Sequence, residues 1–121
     1  MDRKTLRELL KQNLAAAVSK QTGADYQFEY RFAAPERQWR SDIAFPAAKV
    51  AVEIDGGIWT YGRHNRAASM LDDMEKGNGY AARGWIVFHT PWEWIDGGRR
   101  DRSAQLIADI AAAIKAREVA I

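Results

Sequence analysis

The run Lys49-Val-Ala-Val-Glu-Ile-Asp-Gly-Gly57 (KVAVEIDGG) has the alternation of a half-buried strand. Val50, Val52 and Ile54 fall on one face and Ala51, Glu53 and Asp55 on the other, because successive strand side chains leave opposite sides of the backbone. The Gly56-Gly57 pair then breaks the strand, so two carboxylates arrive together at a strand end. Two upstream runs have the same period. Asp25–Phe32 alternates Tyr26, Phe28, Tyr30 and Phe32 with polar residues, and Gln38–Phe45 alternates Trp39, Ser41, Ile43 and Phe45 with Arg40, Asp42 and Ala44. Ala34-Pro35-Glu36 and Pro46-Ala47-Ala48 suit hairpin turns, so the three strands read as an antiparallel meander.

Helical spacing brackets this meander. Leu6, Leu10, Leu14 and Ala17-Val18 recur at helix period; Thr5 and Glu8 have the form of a capping box, and Gly23 stops the helix. After a loop from Gly56 to His64, a second helix is expected from about Asn65 to Arg83, with Met70, Leu71, Met74 and Ala81 inward and Gly77 and Gly79 weakening it. Trp85–Thr90 is a fourth strand ended by Pro91. A last helix, about Arg102 to Glu118, carries Leu106, Ile107, Ile110 and Ile114 on one face. Trp39 and Trp85 are expected in the core, and Trp92-Glu-Trp94 against the end of the sheet. The order α-β-β-β-α-β-α implies an α/β fold in which a mixed sheet is flanked by helices.

Composition narrows the function. The 121 residues suit one domain, and 47% apolar with 28% charged residues describes a folded globular chain. No segment has the apolar length of a membrane span, and Met1-Asp2-Arg3-Lys4-Thr5 does not read as a secretory signal, so a cytoplasmic protein without a membrane partner is expected. The absence of cysteine excludes disulfides and thiolate chemistry, so any metal is held by oxygen or by His64 and His89. A pI near 9.0 permits a polyanionic partner, but a net charge of +2 does not demand one.

The carboxylates carry more information. If the strands are hairpin neighbours, Asp42, Glu53 and Asp55 can share one face. Either they are solvated charges on its wet side, or they converge on a hard cation such as Mg²⁺ that offsets their repulsion.

Asp42, followed after a hairpin by Glu53-Ile54-Asp55 within this element order, resembles the PD-(D/E)XK nuclease superfamily, the restriction-endonuclease-like fold. Five ordered motifs, Arg37-Gln-Trp-Arg-Ser-Asp42, Val52-Glu-Ile-Asp-Gly-Gly57, Gly62-Arg-His64, Asp73-Met-Glu-Lys76-Gly-Asn78 and Gly84-Trp-Ile-Val87, are similar to short phage and prophage endonucleases related to very-short-patch-repair-type nucleases. The likeness spans about Tyr26 to Thr90. It implies a Mg²⁺-dependent DNA endonuclease, with Mn²⁺ able to substitute, in which Asp42, Glu53 and the Ile54 carbonyl hold the metal. It also implies DNA as partner and branched DNA, as for a Holliday-junction resolvase, as a substrate; whether the chain pairs as a homodimer stays open.

The superfamily pattern wants a lysine two residues after the glutamate, where this chain has Asp55. Either Asp55 is a further ligand or the lysine's work has moved to Lys76, which shares a helix face with Asp73; the competing reading of Lys76 is a solvated helix lysine. His64, beside Arg63, is either a catalytic or substrate-binding group or an inert loop histidine. His89 is expected to be structural. Arg40, Arg63 and Arg66, with Arg37, Lys76 and Arg83, could line a phosphate track, and Trp59 or Tyr61 could stack on a base or wedge a distorted duplex. Asn78 and the Gly97–Arg102 loop either touch substrate or are solvated. The alternative function is a non-catalytic DNA-binding module that keeps the nuclease fold.

Overall fold

The computed structural model describes residues 1–55 and 66–119, with the backbone alone at Arg66 and Val119. The loop carrying Trp59, Tyr61, Arg63 and His64 lies outside the described residues. The elements run α1 (Arg3–Thr22), β1 (Gln27–Tyr30), β2 (Ser41–Phe45), β3 (Val50–Ile54), α2 (Arg66–Ala82), β4 (Ile86–Thr90), a 3-10 turn (Trp92–Trp94) and α3 (Arg100–Val119). The four strands form one mixed sheet in chain order. β1–β2 and β2–β3 are antiparallel, and β3–β4, joined through α2, is parallel. No described helix is long and apolar enough to cross a membrane.

Helices α1 and α3 cover one face. Leu14 and Val18 from α1 and Leu106, Ile110 and Ile114 from α3 close over Ile43, Phe45, Val50 and Val52, the larger of two apolar clusters. Asp2 caps α1, accepting the Thr5 N–H at 2.8 Å, so the expected Thr5–Glu8 box does not start the helix. Gly23 ends it at φ 74°, a left-handed conformation that glycine adopts without steric cost.

On the other face a smaller cluster gathers Phe32, Ala33, Ala51 and Tyr80, flanked by Tyr30, Trp39, Trp85 and Val87. Trp39 and Trp85 are thus half-buried partners of this second cluster. Its centre is an aromatic stack. The Tyr80 and Phe32 rings lie 3.7 Å apart at 10°, and Phe32 in turn stacks on Trp39.

Helix α2 differs from expectation. Met70, Leu71 and Met74 are 44%, 65% and 58% exposed, and Ala81 is exposed too. The face turned to the sheet is instead Lys76, Gly79 and Tyr80. Periodicity marks an apolar stripe, but close approach decides the contact: the Trp39 indole packs on Gly79, where an added Cβ would sit 2.5 Å from Cζ3.

The alternation of β1 also fails at one residue. Glu29 is left-handed, with φ 50°, so Tyr26 and Phe28 pack on the α1 and α3 side while Tyr30 and Phe32 turn to the α2 side. Opposite the break, Asp42 is absent from the β1–β2 and β2–β3 ladders, and its carboxylate accepts the Ile54 N–H at 2.6 Å in place of a backbone partner.

Gly79→Ala gains about 1 kcal/mol of helix propensity but forces Trp39 to move, a packing cost of typically 1–3 kcal/mol. The urea midpoint should therefore fall. Gly77→Ala, with nothing within 4 Å of the new Cβ, should raise it by up to about 1 kcal/mol of stability.

Candidate active site

Glu53 is the most buried carboxylate of the sheet, only 9% exposed, near the end of β3. Two donors hold it there. The Tyr80 hydroxyl donates to Oε1 at 2.5 Å, and the Lys76 ammonium lies 2.7 Å from the same oxygen. Both come from α2, four residues apart and hence on one helix face. The Tyr80 hydroxyl also meets Ser41 Oγ at 2.7 Å, and Lys76 donates to the Arg40 carbonyl at 2.7 Å, so β2, β3 and α2 are tied at one point. Burial, then the hydrogen bond to the Glu53 carboxylate, raises the Tyr80 phenol well above its ordinary range. Tyr80 remains a neutral donor.

Asp55 pairs with a residue that sequence reasoning treated as structural. Its Oδ2 lies 2.8 Å from Nδ1 of His89, which follows from the parallel register placing Glu53 beside His89. The hydrogen bond to Asp55 raises the His89 pKa against an opposing effect of burial, and the Asp55, Glu53 and Asp73 charges raise it further. Glu53, Asp55, Asp73, Lys76, Tyr80 and His89 line one cavity of about 470 Å³ between α2 and the sheet.

Asp42 opens elsewhere. Released from the ladder by the break at Glu29, it lines a second cavity with Ile54 on the α1 side, so the three carboxylates do not share one face as the strand period suggested. It still feels Glu53. Burial, and then the Glu53 and Glu29 charges, raise the Asp42 carboxyl to about 6, against the lowering effects of the Ile54 N–H bond and of Lys11. Residues 42 and 53 therefore face opposite cavities while repelling each other across the end of the sheet.

Burial first, and then the Glu53 and Glu29 charges, disfavour the ionised Asp42 carboxyl, and a bound divalent cation would favour it. Among the described residues no group of three or more metal-type side chains stands close enough to hold one ion. Mg²⁺ asks for less, since one or two carboxylates with water usually suffice. Ile54 directly follows Glu53, with its N–H on Asp42 and its side chain against the larger core cluster.

The remaining candidates separate. Arg37 bonds Glu75 and stacks on Trp39; Arg40 is exposed beside the Lys76 anchor; Arg83 donates to the Gly79 carbonyl; Asn78 is exposed on α2. Arg66 begins α2. Arg99 pairs with Asp101. Tyr80 could have been found in the sequence from the spacing of Asp73, Lys76 or Gly77, and Tyr80, whereas the His89–Asp55 contact needed the β3–β4 register.

No family model matches the chain, nor does any curated protein or solved structure.

Because Asp42 ionises at about 6 in the fold against 3.8 ordinarily, its contribution to stability is fully present below pH 3.8 and is lost as pH rises through 6. Asp42→Asn can still accept the Ile54 N–H but carries no charge. At pH 8 it should be more stable than the parent by roughly 1–2 kcal/mol after solvent screening, a gain that vanishes by about pH 4. Chemical denaturation at the two pH values measures this.

Proposed function

We propose that the protein is a Mg²⁺-dependent deoxyribonuclease on a restriction-endonuclease-like, PD-(D/E)XK-type fold, hydrolysing phosphodiester bonds of DNA with branched DNA as its preferred substrate. One observation carries this reading. The Lys76 ammonium stands 2.7 Å from the Glu53 carboxylate, which is where a nuclease of this pattern needs a cation, although it comes from α2 and not from the strand position taken by Asp55.

Asp42, Glu53 and the Ile54 carbonyl would hold Mg²⁺ or Mn²⁺ once Asp42 turns from the Ile54 N–H toward Glu53. When bound, the cation would supply Lewis-acid charge at the scissile phosphate. Tyr80 fixes the rotamer of Glu53 by donating to it from a buried stack. Lys76 orients the attacking water and offsets charge on the phosphate as the bond to the 3′ oxygen breaks. Asp55 engages Nδ1 of His89, which leaves Nε2 to exchange a proton in the same cavity. Arg40, exposed beside the Lys76 anchor, binds a flanking phosphate.

A second reading has its own support. Glu53 is already engaged by Lys76 and Tyr80, and Asp55 by His89, as a DNA-binding module without catalysis would have them.

Glu53→Gln should abolish cleavage. Lys76→Ala should lower the single-turnover rate by about two orders of magnitude or more with DNA affinity nearly unchanged, and Lys76→Arg should rescue poorly because a guanidinium is wider and planar. Cleavage by Lys76→Ala at the parent rate contradicts the assigned role of the lysine. DNA binding without cleavage in the parent protein identifies the module.

A further inference from the structure

The cavity on the α1 side, which shares Asp42 and Ile54 with the site just described, is also lined by a row of cations with no role there. Arg3, Lys4, Arg7 and Lys11 reach it from α1, meeting Asp42 and Ile54 at the end of the sheet. Spacings of four place Arg3, Arg7 and Lys11 in one line along the helix. Lys11 is spoken for, since it is 6% exposed and bonds Glu29 at 2.8 Å. Arg7 lies 4.9 Å over the Trp92 ring, which orients its guanidinium without neutralising it. Among the described residues neither Arg3, Lys4 nor Arg7 forms an ion pair, although Glu8 lines the same cavity.

We infer that Arg3, Lys4 and Arg7 form a phosphate cleft that holds the DNA backbone flanking the cut site, so that the strand crosses the end of the sheet from the α1 side to the Glu53 cavity. The inference rests on the nuclease reading and adds a binding surface to it. The path follows from β3 itself. Ile54 lines the α1-side cavity, while Glu53 and Asp55 line the α2-side cavity, so a strand lying across this end touches both. Flexible cations beside a surface of mixed charge suit a repeated phosphate better than a single small anion, because each can neutralise a different phosphate. The arginine over Trp92 supplies the one oriented fork, which suits bidentate contact with a phosphate.

The test uses the full chain with Arg3→Gln/Lys4→Gln, both exposed, and the same pair with Arg7→Gln added. Fluorescence anisotropy of labelled duplex and four-way-junction DNA gives affinity across a salt series, and thermal melts check the fold. The logarithmic salt slope should shrink by about 2 in the double variant and about 3 in the triple, at ~0.9 per phosphate. Single-turnover cleavage at saturating protein should stay within about twofold of the parent. If the parent cuts DNA through Glu53 while the double variant keeps the parent affinity and slope, the cleft is wrong and the nuclease reading stands. Unchanged affinity with lost cleavage also overturns the cleft, by moving these cations into the chemical step. A parent protein that neither binds nor cuts DNA overturns both.

Discussion

The buried carboxylate of Glu53 is the constraint around which the end of the sheet is organised. A carboxylate 9% exposed costs several kcal/mol unless it is paired and hydrogen-bonded. Tyr80 and Lys76 provide both partners from one face of α2. Placing the Tyr80 hydroxyl there requires the helix to come close, and the packing of Trp39 on Gly79 allows it. The Phe32, Trp39 and Trp85 rings then fill the space around the Tyr80 ring. The second core cluster is thus the support of a polar contact, and the fold and the candidate chemistry share the same atoms.

A second constraint divides the site. The left-handed Glu29 and the loss of the ladder at Asp42 turn a regular antiparallel pair into a forked strand end, with one cavity against α1 and another against α2. β3 forms the wall between them. Its adjacent residues Glu53 and Ile54 face different cavities, and Asp42 bridges the gap through the Ile54 N–H. The raised Asp42 carboxyl reflects its burial first and then the like charges of Glu53 across that wall and of Glu29. On the proposed function, a cation would favour the ionised form that burial and these charges disfavour.

Much of the fold was legible because long stretches obey one period. The alternation of Val50, Val52 and Ile54, and the spacing of Leu106, Ile110 and Ile114, name buried faces that the structure contains. The exceptions have local causes. A strand pattern assumes that every residue is extended, so a single left-handed Glu29 sends Tyr30 and Phe32 to the opposite face. The stripe of Met70, Leu71 and Met74 was the stronger signal in α2, yet the helix turns Gly79 and Tyr80 to the sheet because a glycine permits an approach that an apolar side chain prevents. For the site, the missing strand lysine pointed to Lys76 as a candidate, but its pairing with Glu53 is visible only in the structure. Tyr80 carried a helical spacing signal that was passed over, and the link between Asp55 and His89 depends on a parallel register that no local pattern encodes.

The proposed function requires that Glu53, held by Lys76, and Asp42 can together take up a divalent cation. Anomalous diffraction from crystals soaked in Mn²⁺ tests it most directly, with Glu53→Gln crystals treated in parallel. On the proposed function a Mn²⁺ peak appears within about 2.5 Å of a Glu53 carboxylate oxygen, with Asp42 turned from the Ile54 N–H to join it, as hard cations bind oxygen ligands, and the peak is absent from the variant. A parent crystal in which Mn²⁺ sits elsewhere, or in which Lys76 and Tyr80 keep Glu53 while no peak appears at saturating Mn²⁺, would contradict it.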